Sequence, residues 1–112
     1  MHRFVHAAFY FEDRIKVREL EQVFTAISDD WIRFSALSWI LWTDRPAPHI
    51  YTLLTPYLEA DDQLLISALS KTDLFGFIAP WIWDWMNSKS PGLIVTGPDA
   101  DALRQLPASK LR

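Results

Sequence analysis

Residues 30 to 44 read DWIRFSALSWILWTD, and the reading of this stretch decides the fold. It is the longest β-like run in the chain and carries three of its six tryptophans, Trp31, Trp39 and Trp42. In its first half Ile32, Phe34 and Ala36 alternate with Arg33 and Ser35, the period of a strand with one face toward a core. In its second half LSWILWT is apolar on both faces, so neither face is suited to water. The whole run is more than twice the ~5–6 residues usual for a strand. It therefore divides near Ser35-Ala36-Leu37 into two antiparallel strands, although no Asn-Gly or Asp-Gly pair marks the turn. One face of the second strand should meet helices. The other, carrying Trp39 or Trp42, is the surface expected to be covered by a second subunit.

The flanks of this hairpin supply the rest of a layered α+β domain. Before it, RFVHAAFYF (3–11) alternates Val5, Ala7, Phe9 and Phe11 against Phe4, His6, Ala8 and Tyr10, which makes a strand apolar on both sides. DRIKVRELEQVFTAIS then places Leu20, Val23, Phe24 and Ile27 at i, i+3, i+4 and i+7, the stripe of an amphipathic helix. After the hairpin, DRPAP punctuates the chain, and Pro48 suits the first turn of a second helix striped by Ile50, Leu53, Leu54, Tyr57 and Leu58. Pro56 lies inside that stripe and should kink the helix or occupy a loose last turn. QLLISAL (63–69) is a fourth strand. The resulting order, β-α-β-β-α-β, is the ferredoxin-like arrangement with an antiparallel sheet. LFGFIAPWIWDWMNSK follows as a C-terminal aromatic helix, with Ile78, Trp81, Ile82 and Trp85 on one face and Trp83 off it. Leu93 to Thr96 has the composition of a short fifth strand, and DADALRQL that of a short helix or frayed tail. On this reading residues 1–90 form the ferredoxin-like domain, and residues 91–112 a C-terminal strand and tail.

Composition narrows the classes of function. A chain of 112 residues, half of them hydrophobic, is long enough to build one core without metals or disulfides. The net charge of -3 gives no basic footprint for nucleic acid. The absence of cysteine excludes disulfides, thiol chemistry and thiolate-based zinc sites. No apolar run approaches the ~20 residues of a membrane helix. The first thirteen residues lack the long apolar segment of a signal peptide. A soluble, cytoplasmic protein with no membrane partner is expected.

Four pieces, in this order and spacing, carry a family resemblance: Ser38-Trp39-Ile40, Pro56-Tyr57-Leu58, Asp62 before the fourth strand, and Trp83-Asp84-Trp85. Together they span roughly residues 3 to 88, and the chain resembles the small bacterial SinR-like proteins. Those are relatives of the CRISPR-associated ferredoxin-fold endoribonucleases, the dimeric partner of the spacer integrase. The resemblance implies a homodimer in which two sheets face each other through the side not covered by helices. It also implies a final strand, here Leu93 to Thr96, that completes the partner's sheet. Nuclease members of that family carry an aspartate just after the first strand's aromatic residue, proposed to hold a metal across the dimer axis. The register Phe9-Tyr10-Phe11 puts Tyr10 there instead, and a phenol does not replace a carboxylate in an octahedral magnesium shell.

Glu12 and Asp13, at a strand–helix junction, are the carboxylates a metal-dependent nuclease would use, with Asp13 as the Mg or Mn ligand. The competing account is that they favour the start of the first helix. His2, His6 and His49 match no helical ligand spacing. Asp29-Asp30 and Asp61-Asp62 fit turns, where aspartate bonds its own backbone. The tryptophans could stack bases, but a stacking protein also needs a positive groove, and the basic residues here are scattered. Tyr10, Trp39, Trp42 and Trp83 are therefore assigned to a dimer or partner interface. The sequence supports first a non-catalytic homodimeric binding or scaffold protein that needs no cofactor and has room for a further protein partner. A metal-dependent nuclease and a nucleic-acid-binding regulator without cleavage are the alternatives.

Overall fold

The computed structural model describes residues 1–11 and 16–91. Glu12, Asp13, Leu93 to Thr96 and the DADALRQL segment lie outside them. Among the described residues the protein is α+β, a four-stranded antiparallel sheet with three α-helices, compatible with a ferredoxin-like fold. The chain divides into two compact units, Met1–Leu69 and Ser70–Arg112. The aromatic helix lies in the second unit.

The first unit runs β1 (Arg3–Tyr10), α1 (Val17–Ile27), β2 (Asp30–Ser35), β3 (Ser38–Thr43), α2 (Ala47–Leu54) and β4 (Gln63–Ala68). The long aromatic run is two paired strands, divided where its length requires, with Ser35 facing Ser38 across the turn. The turn residue pair is Ala36-Leu37, and a side chain ties it rather than a glycine. Arg33 donates from Nε and Nη2 to the Ala36 carbonyl at 3.1 and 2.5 Å. The register shifts between Arg33 and Ser35, a bulge that bends β2 beside the turn. In the sheet the strands lie in the order β2-β3-β1-β4.

One face of the sheet, with α1 and α2, makes the core. Val5, Ala7 and Phe9 from β1 and Trp39 and Leu41 from β3 pack with Leu20, Phe24 and Ile27 of α1 and Ile50 and Leu54 of α2. Each large side chain so buried contributes about 1.5–3 kcal/mol relative to exposure. The α1 stripe is the one the sequence spells, with Val23 at its partly buried margin. α1 stops at Ser28, whose N–H and Oγ both donate to the Phe24 carbonyl. Thr43, buried at the end of β3, donates from Oγ1 to the Ile27 carbonyl at 2.8 Å and accepts from the Arg45 N–H at 3.1 Å. It fastens the end of α1 to the start of the α2 connection.

Proline sets both ends of α2. Pro48 stands in its first turn, where a missing N–H has no helical partner to lose. After Leu54 the helix tightens into a 3-10 turn, Thr55–Tyr57, containing Pro56. Asp62 and Glu59 then close a reciprocal turn. The Glu59 N–H donates to Asp62 Oδ2 at 2.8 Å, and the Asp62 N–H to the Glu59 carbonyl at 3.1 Å. This acidic stretch is a local turn, as its composition suggests.

In the second unit α3 spans Pro80–Lys89. Its buried residues are Ile82, Trp83 and Met86, while Trp81 is half exposed. The face read from the sequence is therefore displaced. Ile78 precedes the helix, and Trp83, placed off the packed face, lies on it. Trp81, Ile82, Trp83, Trp85 and Met86 spread over more than half the circumference of α3, so periodicity marks a broad apolar arc rather than one face. Gly76 sits against the Trp83 ring, since a Cβ there would meet its edge at 3.6 Å. Ser90 ends α3, its N–H on the Met86 carbonyl at 2.9 Å and its Oγ accepting from Lys71 Nζ at 2.7 Å.

Candidate functional site

The face of the sheet turned away from α1 and α2 collects the residues with interaction potential. Pleating places Phe4, His6, Ala8 and Tyr10 of β1 on it, and the register sets them across from Trp42, Ile40 and Ser38 of β3. On the other side of β1 they face Ser67, Leu65 and Gln63 of β4. Ile32 lies beside Ile40 through the β2 pairing. At one end Trp42 packs on Phe4 with centroids 4.8 Å apart and on His2 at 5.4 Å. His2 is held there by Asp29, Nε2 to Oδ2 at 2.5 Å. In the middle the His6 ring meets Phe34 at 5.4 Å. At the far end Tyr10 is 48% and Leu65 71% exposed, whereas Phe4 and Ile40 are buried. The exposed end also borders a depression of about 450 Å³ lined by Ala8, Phe9, Tyr10, Gln63, Leu64 and Leu65.

Of the interface tryptophans, Trp42 is on this face and Trp39 is not. Trp39 points to the core, fully buried, edge-on to Phe9 at 5.5 Å and against Phe24 at 5.4 Å. Its indole N–H donates to Glu21 Oε2 at 3.0 Å, and the Arg33 guanidinium lies 5.3 Å from its ring centre. Its interface assignment is thus corrected: the β3 alternation gives the even-numbered Trp42 to the second face and the odd-numbered Trp39 to the core. Trp83 is likewise buried, leaving Trp81 as the half-exposed tryptophan of α3, beyond the exposed Phe75 and Phe77 of the same unit. Leu65 is the surface residue that the sequence reading missed. Its signal was available in QLLISAL, where β4 alternation must turn one of two adjacent leucines outward.

No group of three or more His, Asp or Glu positioned to hold a metal occurs among the described residues. His2 binds Asp29, and His49 Nδ1 lies 3.4 Å from Arg45 Nη1, so these two histidines have separate local partners. Asp30 accepts from the Trp31 N–H at 2.9 Å, again a local turn contact. No helix among the described residues is long and apolar enough to cross a membrane.

Burial displaces the titration of His6. Its Nε2 is buried without a hydrogen-bond partner among the described residues, and burial lowers its pKa from 6.5. The unfolded chain therefore takes up a proton at a higher pH than the folded chain does. Stability from this residue is full above pH 6.5 and falls as the pH drops from there toward the lowered folded value. Urea midpoints measured above and below pH 6.5 should show that loss, and His6→Phe should diminish it. Equal pH dependence in the two proteins would assign the effect elsewhere.

Comparison of the chain with family models, with curated proteins and with solved structures gives no match.

Proposed function

We propose that the chain is a non-catalytic binding or scaffold protein that works as a homodimer. Its first unit is read as a ferredoxin-like β-α-β-β-α-β domain, followed by the C-terminal aromatic helix. The observation that carries the reading is the exposed apolar end of the second sheet face, where Tyr10 and Leu65 flank one depression. Large apolar groups clustered at a sheet margin are better covered than hydrated. A second copy supplies matching apolar cover by symmetry. The resemblance to SinR-like proteins supports the same reading, because it implies a homodimer. Tyr10 in place of the family's metal-binding aspartate supports the non-catalytic part. The function so read is cytoplasmic, uses no cofactor and leaves room for a further protein partner.

Light scattering at micromolar protein should return twice the 13.0 kDa chain mass. A monomer at that concentration removes the scaffold reading. Labelled RNA and DNA should stay intact with Mg²⁺ or Mn²⁺. Metal-dependent cleavage that Asp13→Ala abolishes would install the nuclease alternative, with Glu12 and Asp13 as its carboxylates. Oligonucleotides that shift uncut, with affinity falling as salt rises, would instead make the protein a nucleic-acid-binding regulator.

A further inference from the structure

We infer that the second copy joins edge to edge along β4, in a two-fold antiparallel pairing that sets Leu65 against Leu65 of the other copy. This rests on the homodimer reading and goes beyond it by naming the surface and the register, with an edge seam along β4 in place of the face-to-face packing and strand exchange that the resemblance implies.

Among the described residues the sheet has two edges, β2 and β4. β2 is poorly suited to strand addition, because a bulge breaks its register between Arg33 and Ser35 and it carries Asp30 and Arg33. β4, QLLISA, has no charge, no proline and no register shift against β1. Its backbone pattern follows from one bond. The Leu69 N–H donates to the Phe4 carbonyl at 2.8 Å, so in this register the odd-numbered residues of β4 turn their backbone groups to β1. Leu64, Ile66 and Ala68 then direct theirs outward, where no strand pairs with them among the described residues. Leu64 and Ile66 pack their side chains on the core, while Leu65 stands exposed on the opposite face.

Charge selects the orientation. Asp61 and Asp62 immediately precede β4 in a chain of net charge -3. A parallel, in-register addition would bring these acids beside their counterparts. An antiparallel addition separates them to opposite ends of the seam, across from Leu69 and Ala68 of the other copy. The backbone selects the register, since outward groups must meet outward groups and even positions must face even ones. Among such two-fold pairings, the one centred on Leu65 matches like with like. Leu64 faces Ile66 on the core side, and Leu65 faces Leu65 and Gln63 faces Ser67 on the other. Leu65 then occupies a non-hydrogen-bonded pair, with Cα atoms about 4.5 Å apart and side chains at their closest. Tyr10, diagonal to Leu65 on the neighbouring strand, extends the apolar strip.

Cysteine cross-linking tests the register directly, because the chain has no cysteine and each variant carries a single thiol. Both positions are exposed, so neither substitution disturbs the core. Under mild oxidation, Leu65→Cys in the full chain should convert almost fully to a covalent dimer on a non-reducing gel. Ser67→Cys, two residues along the same face, would place its thiols about 13 Å apart along the strands. It should cross-link at least about tenfold more slowly, being outside disulfide reach. If light scattering finds a dimer but the two variants react alike or not at all, the edge geometry is overturned and the homodimer reading stands. If the protein is monomeric, both fall. In a mixture of Leu65→Cys and Val95→Cys chains, a covalent heterodimer in place of the Leu65→Cys homodimer would give the edge to the C-terminal segment and overturn the inference.

Discussion

Trp39→Ala is expected to lower the unfolding free energy by about 3–5 kcal/mol, the range for removing a buried tryptophan or phenylalanine ring. Trp39 is fully buried, contacts Phe9 and Phe24 and lies where β3 meets α1. Alanine there opens a void that both strands and the helix border, and a close-packed interior closes such a void only in part. Against a total of about 5–15 kcal/mol for a domain, the loss is large enough to leave a substantial unfolded fraction. Urea unfolding followed by far-ultraviolet circular dichroism measures it. Trp39→Phe should cost less, since it keeps a ring against Phe9 and Phe24 and gives up the indole N–H to Glu21. A loss below about 1.5 kcal/mol for the alanine variant would mean that the site collapses around the missing ring, below the range typical of buried large-to-small changes.

Thr43→Val carries the second large effect, about 1–3 kcal/mol, although it changes volume little. The Thr43 hydroxyl both donates and accepts, to the Ile27 carbonyl and from the Arg45 N–H. Valine keeps the branched shape and leaves those two backbone groups without their partner, and the desolvation of unsatisfied groups is the costly part of a lost hydrogen bond. Thr43→Ser, which retains the oxygen, should recover most of the stability. The two variants separate hydrogen bonding from packing at one position. If serine proves as damaging as valine, the lost methyl group is responsible.

The sequence made the sheet unit legible because its elements carry opposed periods. The alternation of β1, the 3,4-spaced stripe of α1 and the length of the Asp30 to Asp44 run each require one kind of structure. Pro48 and Pro56 marked the start of α2 and its tightened last turn through their missing N–H groups. The hairpin turn was located by length alone, for the Arg33 bonds that tie it to Ala36 have no short-range sequence signature. The face assignments were less legible. Trp39 and Trp42 are both apolar neighbours of apolar residues, and only the pairing with β1 separates the core tryptophan from the surface one. α3 was misread because its apolar arc is broad: Trp81 and Trp85 lie at one margin and Trp83 at the other, and Trp83 rather than Trp85 is the buried one. At the exposed end of the second face Tyr10 was legible and Leu65 was not: β4 alternation turns one of Leu64 and Leu65 outward, but how far it stands exposed depends on what the neighbouring strands leave uncovered.

The bulge in β2 has a consequence for how large an assembly can become. A sheet with two receptive edges can recruit a copy at each and lengthen without limit, the route to fibres. Here the register shift between Arg33 and Ser35 makes one edge a poor template. Growth by strand addition through β4 is then self-terminating, because the first recruitment consumes the receptive edge of both copies. On the β4 seam proposed above, the irregularity beside the hairpin turn would thus hold strand addition to two chains.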